Sequence, residues 1–181
     1  MAVAGPTVSV IVVTRDRPAL LADALASVVA QRPGPLEVRI GDDGTQSITA
    51  VVEALPLLEL TVLPLQCGQA GAARNAAAAG ARGDVLAFLD DDDVWRADHL
   101  APLVEAFRDP AVGFTWRDSE VVREHVHDDG TRIARESRVL ARDWDEALMR
   151  SDDYLPPRAW AVRRELFTAL DGFDASFRYS E

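Results

Sequence analysis

Residues 85–95, VLAFLDDDDVW, decide how the rest of the chain is interpreted. Val85 to Leu89 form a short apolar run, which is typical of a strand buried on both faces of a parallel sheet. Four aspartates, Asp90 to Asp93, follow directly and would repel one another unless positive charge lies among them. Open α/β sheets bind ligands at the carboxyl ends of their strands, so this run predicts a ligand site.

A divalent cation would relieve the crowding in this acidic run. Carboxylate oxygens favour hard ions such as Mg²⁺ or Mn²⁺, which complete their coordination with water and ligand phosphate. The alternative is a solvated acidic turn that stabilises the start of the next helix, where negative charge is favourable. The position of the run, after the fourth strand of an alternating pattern, favours the metal site.

Strands and helices alternate along residues 1–109. The predicted strands are Thr7–Val13, Leu36–Ile40, Leu58–Leu65 and Val85–Leu89. The predicted helices are one capped by Asp16 with Pro18 in its first turn, then Thr45–Leu55, Gly71–Ala81 and Ala97–Phe107. This alternation predicts an α/β fold with a mostly parallel sheet and helices on both faces.

Residues 110–181 do not continue the regular alternation of strands and helices. Strands are predicted at 113–116, 120–123 and 160–162, with a hairpin turn at Asp129-Gly130 and helices at 144–150 and 164–170. We therefore expect a small antiparallel portion here. The whole chain, 1–181, is predicted to be one domain, in which residues 1–109 form a nucleotide-binding crevice and residues 110–181 close over it.

Two further motifs fall at the expected ligand edge. Asp42 and Asp43 follow the second strand, and carboxylates there can accept hydrogen bonds from a base or ribose, although an ordinary Asp-Gly turn is the alternative. Gly68 and Gly71 lead into an alanine-rich helix, whose start can approach a diphosphate with Arg74 adding a bidentate contact. The alternative there is close helix packing, with Arg74 exposed to solvent.

Composition excludes several functional classes. The net charge of −11 argues against a nucleic-acid partner, and the chain contains no lysine, which excludes Schiff-base enzymes and Walker-type phosphate loops. The single cysteine, Cys67, excludes an intrachain disulfide and a cysteine zinc site, which fits the cytoplasm. No apolar stretch reaches the roughly 20 residues of a transmembrane helix, and no signal peptide is recognisable.

Five motifs in order resemble the large inverting glycosyltransferase family 2 with the GT-A fold, which uses nucleotide-diphosphate sugars. They are the opening strand and loop Val8–Arg17, the acidic pair in Asp42-Asp43-Gly44, the helix motif Ala73-Arg74-Asn75, the Asp-x-Asp motif Asp90-Asp91-Asp92, and Arg163 to Asp174. The resemblance covers nearly the whole chain.

The resemblance implies roles for these residues. Thr14 and Asp43 would contact the nucleoside with support from Asp42, and Arg74 would contact the donor. Asp91 would contact the donor sugar or ribose, while Asp90 and Asp92 would hold Mg²⁺ or Mn²⁺ at the diphosphate. The implied reaction moves a sugar from a UDP-, dTDP- or GDP-sugar to a hydroxyl of a polysaccharide, a lipid-linked glycan or a natural product.

Two departures from the family pattern bear on activity. The loop Val13 to Asp16 lacks the usual aromatic residue, which leaves the preferred base open. The sequence also stops at Glu181, within the acceptor-side Glu-Asp motif whose Asp acts as general base. We expect Asp91 and Glu181 to form the catalytic set. Because the sequence lacks the Asp of the motif, we expect this form to bind donor but transfer sugar slowly. The alternative function is a non-catalytic nucleotide-sugar-binding module, or a donor-binding fragment of a larger glycosyltransferase. A phosphoacceptor receiver domain would need a lysine, which this chain lacks.

Weaker candidates lie outside these motifs. His125 and His127 alternate on one strand face, for which a solvated hairpin edge is favoured over a metal site. Arg132, Arg135, Arg138 and Arg142 recur at helical spacing and predict a solvated basic stripe. Trp160 is the one tryptophan expected to stack on a sugar, and His99 is expected to serve packing.

Overall fold

The computed structural model describes residues 5–55, 59–127, 131–151 and 154–176. A six-stranded sheet has the order β3-β2-β1-β4-β8-β5, and a separate two-stranded sheet pairs β6 with β7. The strands are β1 Val8–Thr14, β2 Glu37–Asp42, β3 Leu60–Pro64, β4 Val85–Asp90, β5 Phe114–Trp116, β6 Ser119–Val126, β7 Arg132–Leu140 and β8 Trp160–Arg163. Strands β1 to β4 are mutually parallel, whereas β8 pairs antiparallel with both β4 and β5.

The described segments contain six α-helices, some of which pack on the two faces of the large sheet. They are α1 Pro18–Val29, α2 Thr49–Glu53, α3 Ala70–Ala78, α4 Leu100–Ala106, α5 Glu146–Met149 and α6 Arg164–Ala169, with a 3₁₀ turn at Pro157–Ala159. The predicted α/β class, with its mostly parallel sheet, is confirmed. None of the helices in the described ranges combines the length and apolarity needed to cross a bilayer.

Strand β1 shows why this sheet forms. Val10 and Val12 point into a core shared with α1 and α4, while Ile11 between them points into a second core shared with α3 and α6. All three side chains are essentially inaccessible to solvent. Such two-sided burial requires a continuous apolar run, and it is the property from which the parallel sheet was predicted.

The loop after β1 corrects one sequence prediction. Asp16 does not cap α1, because Arg17 occupies that position and makes no side-chain cap. Asp16 instead adopts a left-handed conformation, with φ of 56°, and its carboxylate accepts hydrogen bonds from the backbone N–H groups of Thr45 and Gln46. These bonds fix residues 45 and 46 outside a helix, so α2 begins only at Thr49.

The β6–β7 hairpin provides the predicted antiparallel portion. The helical spacing inferred for the arginine stripe is wrong, because Arg132, Arg135 and Arg138 lie on β7. They are exposed all the same, since a two-stranded ribbon has too little area to bury both of its faces. The predicted turn at Asp129-Gly130 lies outside the described residues.

Candidate functional site

The carboxyl ends of three parallel strands bring the predicted site residues together. In the register of the sheet Thr14 of β1 lies beside Asp42 of β2, and Val13 lies beside Asp90 of β4. The prediction that Asp42 and the acidic run lie at the same edge of the sheet is therefore confirmed. Thr14, Asp42 and Asp90 are brought to one edge although they are far apart in the sequence.

Asp91 is the buried centre of the acidic run and faces the loop after β1. Its Oδ2 atom accepts hydrogen bonds from Thr14 Oγ1 at 2.7 Å and from Arg17 Nε at 3.2 Å. Its Oδ1 atom lies 2.6 Å from Arg17 Nη2, an ion-pair contact. Burial raises the pKa of Asp91 above its usual value, although the Thr14 hydrogen bond and the Arg17 charge oppose that rise.

The other three aspartates of the run also have arginine partners. Arg74 Nη2 lies 2.5 Å from Asp90 Oδ1, Arg17 Nη1 lies 2.9 Å from Asp92 Oδ2, and Arg158 Nη1 lies 3.3 Å from Asp93 Oδ2. The sequence argument required positive charge among these carboxylates, and three arginines supply it from the protein itself.

Asp93 shows that the compensation is incomplete. Burial raises its pKa to about 6; the nearby charges of Asp90 and Asp92 contribute to this rise, and Arg158 opposes it. Asp93 therefore takes up a proton at a higher pH than an ordinary aspartate does.

Asp90 and Asp92 suit a hard divalent ion as partial ligands. Their side chains are 23% and 48% exposed, so both are open to an incoming ion. Within the described residues no three Asp, Glu, His or Cys side chains form a metal-holding group. Two carboxylates are nevertheless the protein share of many Mg²⁺ sites, in which substrate phosphate and water complete the coordination. The residues fit a metal whose remaining coordination positions are filled by water or by a phosphate ligand.

The predicted nucleoside-side aspartates hold backbone turns. Asp43 accepts hydrogen bonds from Cys67 N and from Gly68 N, the latter at 2.8 Å, and so fixes the loop between β3 and α3. Gly68 has a φ of 66°, a conformation that glycine adopts without strain. Asp42 accepts a hydrogen bond from Gly44 N at 3.1 Å, within the Asp-Gly turn. Both aspartates therefore shape the edge beside Thr14.

Helix α3 positions Arg74 toward the site rather than toward solvent. Arg74 is only 7% exposed, and its guanidinium lies 5.4 Å from the ring centre of Phe173 as well as contacting Asp90. The neighbouring Asn75 exchanges two hydrogen bonds with the backbone of Phe173, at 2.7 and 2.9 Å. The segment after α6 is thereby tied to the helix that carries Arg74.

Two arginines that contact the predicted site residues were not predicted from the sequence. Arg17 and Arg158 pair with aspartates 65 or more positions away, and no local pattern marks those partners. Asn75 was part of a recognised motif, which was a usable signal. Glu181, predicted to act with the acceptor, lies outside the described residues.

The remaining candidates take structural positions. Trp160 is half-buried against the rings of Phe88 and Phe114, with centroid distances of 4.9 and 5.4 Å. His99 stacks on Trp95 at 4.6 Å and is nearly buried, as expected for a packing residue, and burial lowers its pKa to about 4.

Comparison with known proteins identifies the family. The model of "Glycosyl transferase family 2" matches residues 9–170, so the chain belongs to that family. An uncharacterized glycosyltransferase, YwdF of Bacillus subtilis, is 29% identical over 169 residues, which are 93% of this chain and 62% of that protein. The putative teichuronic acid biosynthesis glycosyltransferase TuaG of the same organism is 30% identical over 71% of this chain and 51% of its own length.

Solved structures share the GT-A fold. The mannosyltransferase PcManGT from Pyrobaculum calidifontis, in complex with GDP-Man and Mn²⁺, superimposes with a TM-score of 0.67 at 24% identity, over 96% of this chain and 50% of that one. TarS 1-349 of S. aureus in complex with UDP-GlcNAc gives 0.62 at 22% identity, over 92% and 48%. The chain thus spans about half the length of these structures and 62% of its B. subtilis relative YwdF.

Proposed function

We propose that the protein is a metal-dependent, inverting glycosyltransferase that moves a sugar from a nucleotide-diphosphate donor to a hydroxyl acceptor. The observation that carries this proposal is the convergence of Thr14, Asp42 and the Asp90–Asp92 run at one sheet edge, in a family 2 chain. Residues 1–109 are proposed to form the donor half and residues 110–181 the acceptor side. The proposed compartment is the cytoplasm, on the argument from composition given above.

The nucleoside is proposed to lie against Thr14 and Asp43, with Asp42 supporting the turn beneath it. Carboxylate oxygens have several lone pairs, so Asp43 retains acceptor capacity while it holds the backbone of residues 67 and 68. Donor complexes of two proteins with the same fold contain GDP-Man and UDP-GlcNAc, which supports a GDP-, UDP- or dTDP-sugar as the donor here.

The diphosphate is proposed to lie beside Asp90 and Asp92. When bound there, Mg²⁺ or Mn²⁺ would offset the charge that develops on the leaving diphosphate. Arg74 adds a fixed positive charge next to Asp90, and its burial limits how far that charge can move. The Mn²⁺ in the PcManGT complex supports this choice of ion.

Transfer requires a group that accepts the proton of the acceptor hydroxyl. Base assistance of this kind contributes roughly 10²- to 10⁴-fold to a rate, and Glu181 is proposed to take part in it. Asp91 is proposed to act on the donor side, where its contacts with Thr14 and Arg17 hold the loop after β1 against the acidic run.

Binding of nucleotides and of their sugars by this chain tests the proposal directly. We expect UDP, GDP, UDP-GlcNAc or GDP-Man to raise the melting temperature in the presence of Mn²⁺, because a ligand of the folded state stabilises it by mass action. Asp92→Ala should keep the fold and lose the metal-dependent part of this binding. Asp98→Ala, which removes an exposed carboxylate of the same segment, is the matched control.

The nucleoside assignment has its own test. Asp43→Ala should weaken uridine or guanosine nucleotides equally with and without Mn²⁺. Asp84→Ala is the control, because Asp84 also accepts a backbone hydrogen bond, from Thr7, but lies at the opposite sheet edge. Unchanged nucleotide affinity in both Asp43→Ala and Asp92→Ala would refute the proposed site. Donor binding without transfer to any hydroxyl acceptor would favour the donor-binding module instead.

A further inference from the structure

Arg17 makes two contacts of different character with the acidic run. With Asp91, whose side chain is fully buried, it shares a hydrogen bond and an ion-pair contact. With Asp92, whose side chain is 48% exposed, it makes a single contact at 2.9 Å. A buried carboxylate needs its countercharge permanently, whereas an exposed ion pair is weak and exchanges readily.

The backbone holds Arg17 where it can reach both carboxylates. The preceding residue, Asp16, is anchored to the backbone of residues 45 and 46, and the following residue, Pro18, restricts the conformation of Arg17 and opens α1. The forked guanidinium can address two oxygens at once, which a lysine ammonium cannot do with the same geometry.

We propose that Arg17 pairs with Asp92 when no metal is bound, and that a divalent ion displaces Arg17 from Asp92. Arg17 keeps its contacts with Asp91 throughout. The inference rests on the proposed function, since it takes Asp92 as a metal ligand. It goes beyond that function by assigning to Arg17 the control of metal affinity in the absence of nucleotide. Arg17 then acts as a positioning residue that competes with the ion for one carboxylate.

Mn²⁺ binding without nucleotide tests this competition, with free Mn²⁺ followed by electron paramagnetic resonance at fixed pH and ionic strength. Arg17→Gln removes the charge and should bind Mn²⁺ about two- to tenfold more tightly, the range expected when an exposed ion pair and its charge are lost. The Mn²⁺ affinity of Arg17→Lys should lie between that of Arg17→Gln and that of the parent. Arg15→Gln, the same charge change two residues earlier on an exposed side chain, should have a smaller effect than Arg17→Gln.

A second pair of variants covers the case in which Arg17→Gln does not fold. Asp91→Asn leaves Asp92 as the remaining carboxylate partner of Arg17 and should weaken Mn²⁺ binding. Adding Arg17→Gln to Asp91→Asn replaces the buried ion pair with two neutral amides and should restore or exceed the parent affinity.

Each result has one interpretation. Tighter binding in Arg17→Gln than in both the parent and Arg15→Gln, or in the double variant relative to Asp91→Asn, supports the proposal. An equal gain in Arg15→Gln overturns it, because the effect would then follow net charge and not the contact with Asp92. Equal or weaker binding overturns it, because Arg17 would then be indifferent to the ion or needed to assemble its site. Asp92→Asn separates this failure from failure of the metal assignment. If Asp92→Asn binds Mn²⁺ as well as the parent does, Asp92 is not a ligand and the proposed metal role fails as well.

Discussion

Both edges of the parallel sheet contain buried carboxylates beside arginines, but the pKa values of these carboxylates shift in opposite directions at the two edges. At the amino-terminal edge, Glu37 is 2% exposed and accepts hydrogen bonds from Ser9 Oγ, from Arg82 N and from Arg82 Nε. At the carboxyl edge, Asp91 and Asp93 are also largely buried and also face arginines. Burial alone would raise the pKa of Glu37, but these hydrogen bonds outweigh burial and hold it below the usual value, whereas the pKa values of Asp91 and Asp93 are raised.

The difference lies in neighbouring charge and in hydrogen bonding. Glu37 lies next to a serine and a backbone N–H group, which stabilise its ionised form. The carboxylates at the other edge lie in a run of four, so each countercharge is opposed by further negative charge. One edge of the sheet therefore stabilises the fold, while the other keeps an electrostatic strain that a bound cation would relieve.

The largest effect should come from breaking the stabilising edge. Glu37→Ala leaves a serine hydroxyl and a backbone N–H without their buried acceptor, which should lower the free energy of unfolding by about 2–3 kcal/mol. Urea unfolding followed by circular dichroism measures the change. Glu59→Ala removes the exposed partner of Arg82 and should cost less than about 1 kcal/mol. Equal losses in the two variants would contradict the comparison.

The pH dependence of stability should have opposite signs at the two edges. The folded-state pKa of Glu37 is lowered, so its stabilisation is present above the unfolded pKa near 4.5 and is lost as the pH falls through the lower folded value. We expect the deficit of Glu37→Gln relative to the parent to shrink as the pH falls below about 4.5.

Asp93 should behave in the reverse way. Its pKa rises to about 6 in the folded state, so the parent binds more protons than its unfolded chain between about pH 4 and 6 and loses stability as the pH rises through that window. Asp93→Asn lacks this loss, so its stability relative to the parent should increase by about 2–3 kcal/mol as the pH is raised from 4 to 7. A difference between the two proteins that stays constant over this range would show that Asp93 titrates normally.

The smallest effect is expected at a pair that belongs to neither edge. Arg123 and Glu136 lie 3.4 Å apart on the β6–β7 hairpin, with side chains 78% and 72% exposed. Arg123→Ala should change the free energy of unfolding by less than about 0.5 kcal/mol, because exposed pairs are screened by water and salt. A loss above 1 kcal/mol in urea titrations would mean that the hairpin packs against more of the protein than its exposure indicates.

Physical chemistry explains which features could be predicted from the sequence. The strands were predictable because burial on both faces demands continuous apolar runs, and the shared edge followed from their parallel order. The start of α2 could not be predicted, because it depends on a hydrogen bond from Thr45 to Asp16, which lies 29 residues earlier in the sequence. A local rule also assigned a helical spacing to arginines that occupy a strand.

The electrostatic partners were the main omission at the site. The four consecutive aspartates indicated that positive charge must lie nearby. From the sequence alone, a bound metal ion was the source of charge that could be inferred. Arg17 lies 74 residues before Asp91, and Arg158 lies 65 residues after Asp93, so only the folded sheet brings them together. The sequence identified the carboxylates and Arg74, but it did not identify Arg17 and Arg158, which lie beside Asp91, Asp92 and Asp93.

A crystal structure of the protein with Mn²⁺ and either UDP or GDP tests the central claim most directly. The account predicts an anomalous manganese peak in contact with Asp90 or Asp92, and a nucleoside beside Thr14 and Asp43. Manganese and nucleotide bound at the opposite edge, for example in the cavity of about 430 Å³ lined by Asp84, Arg163 and Arg164, would contradict it.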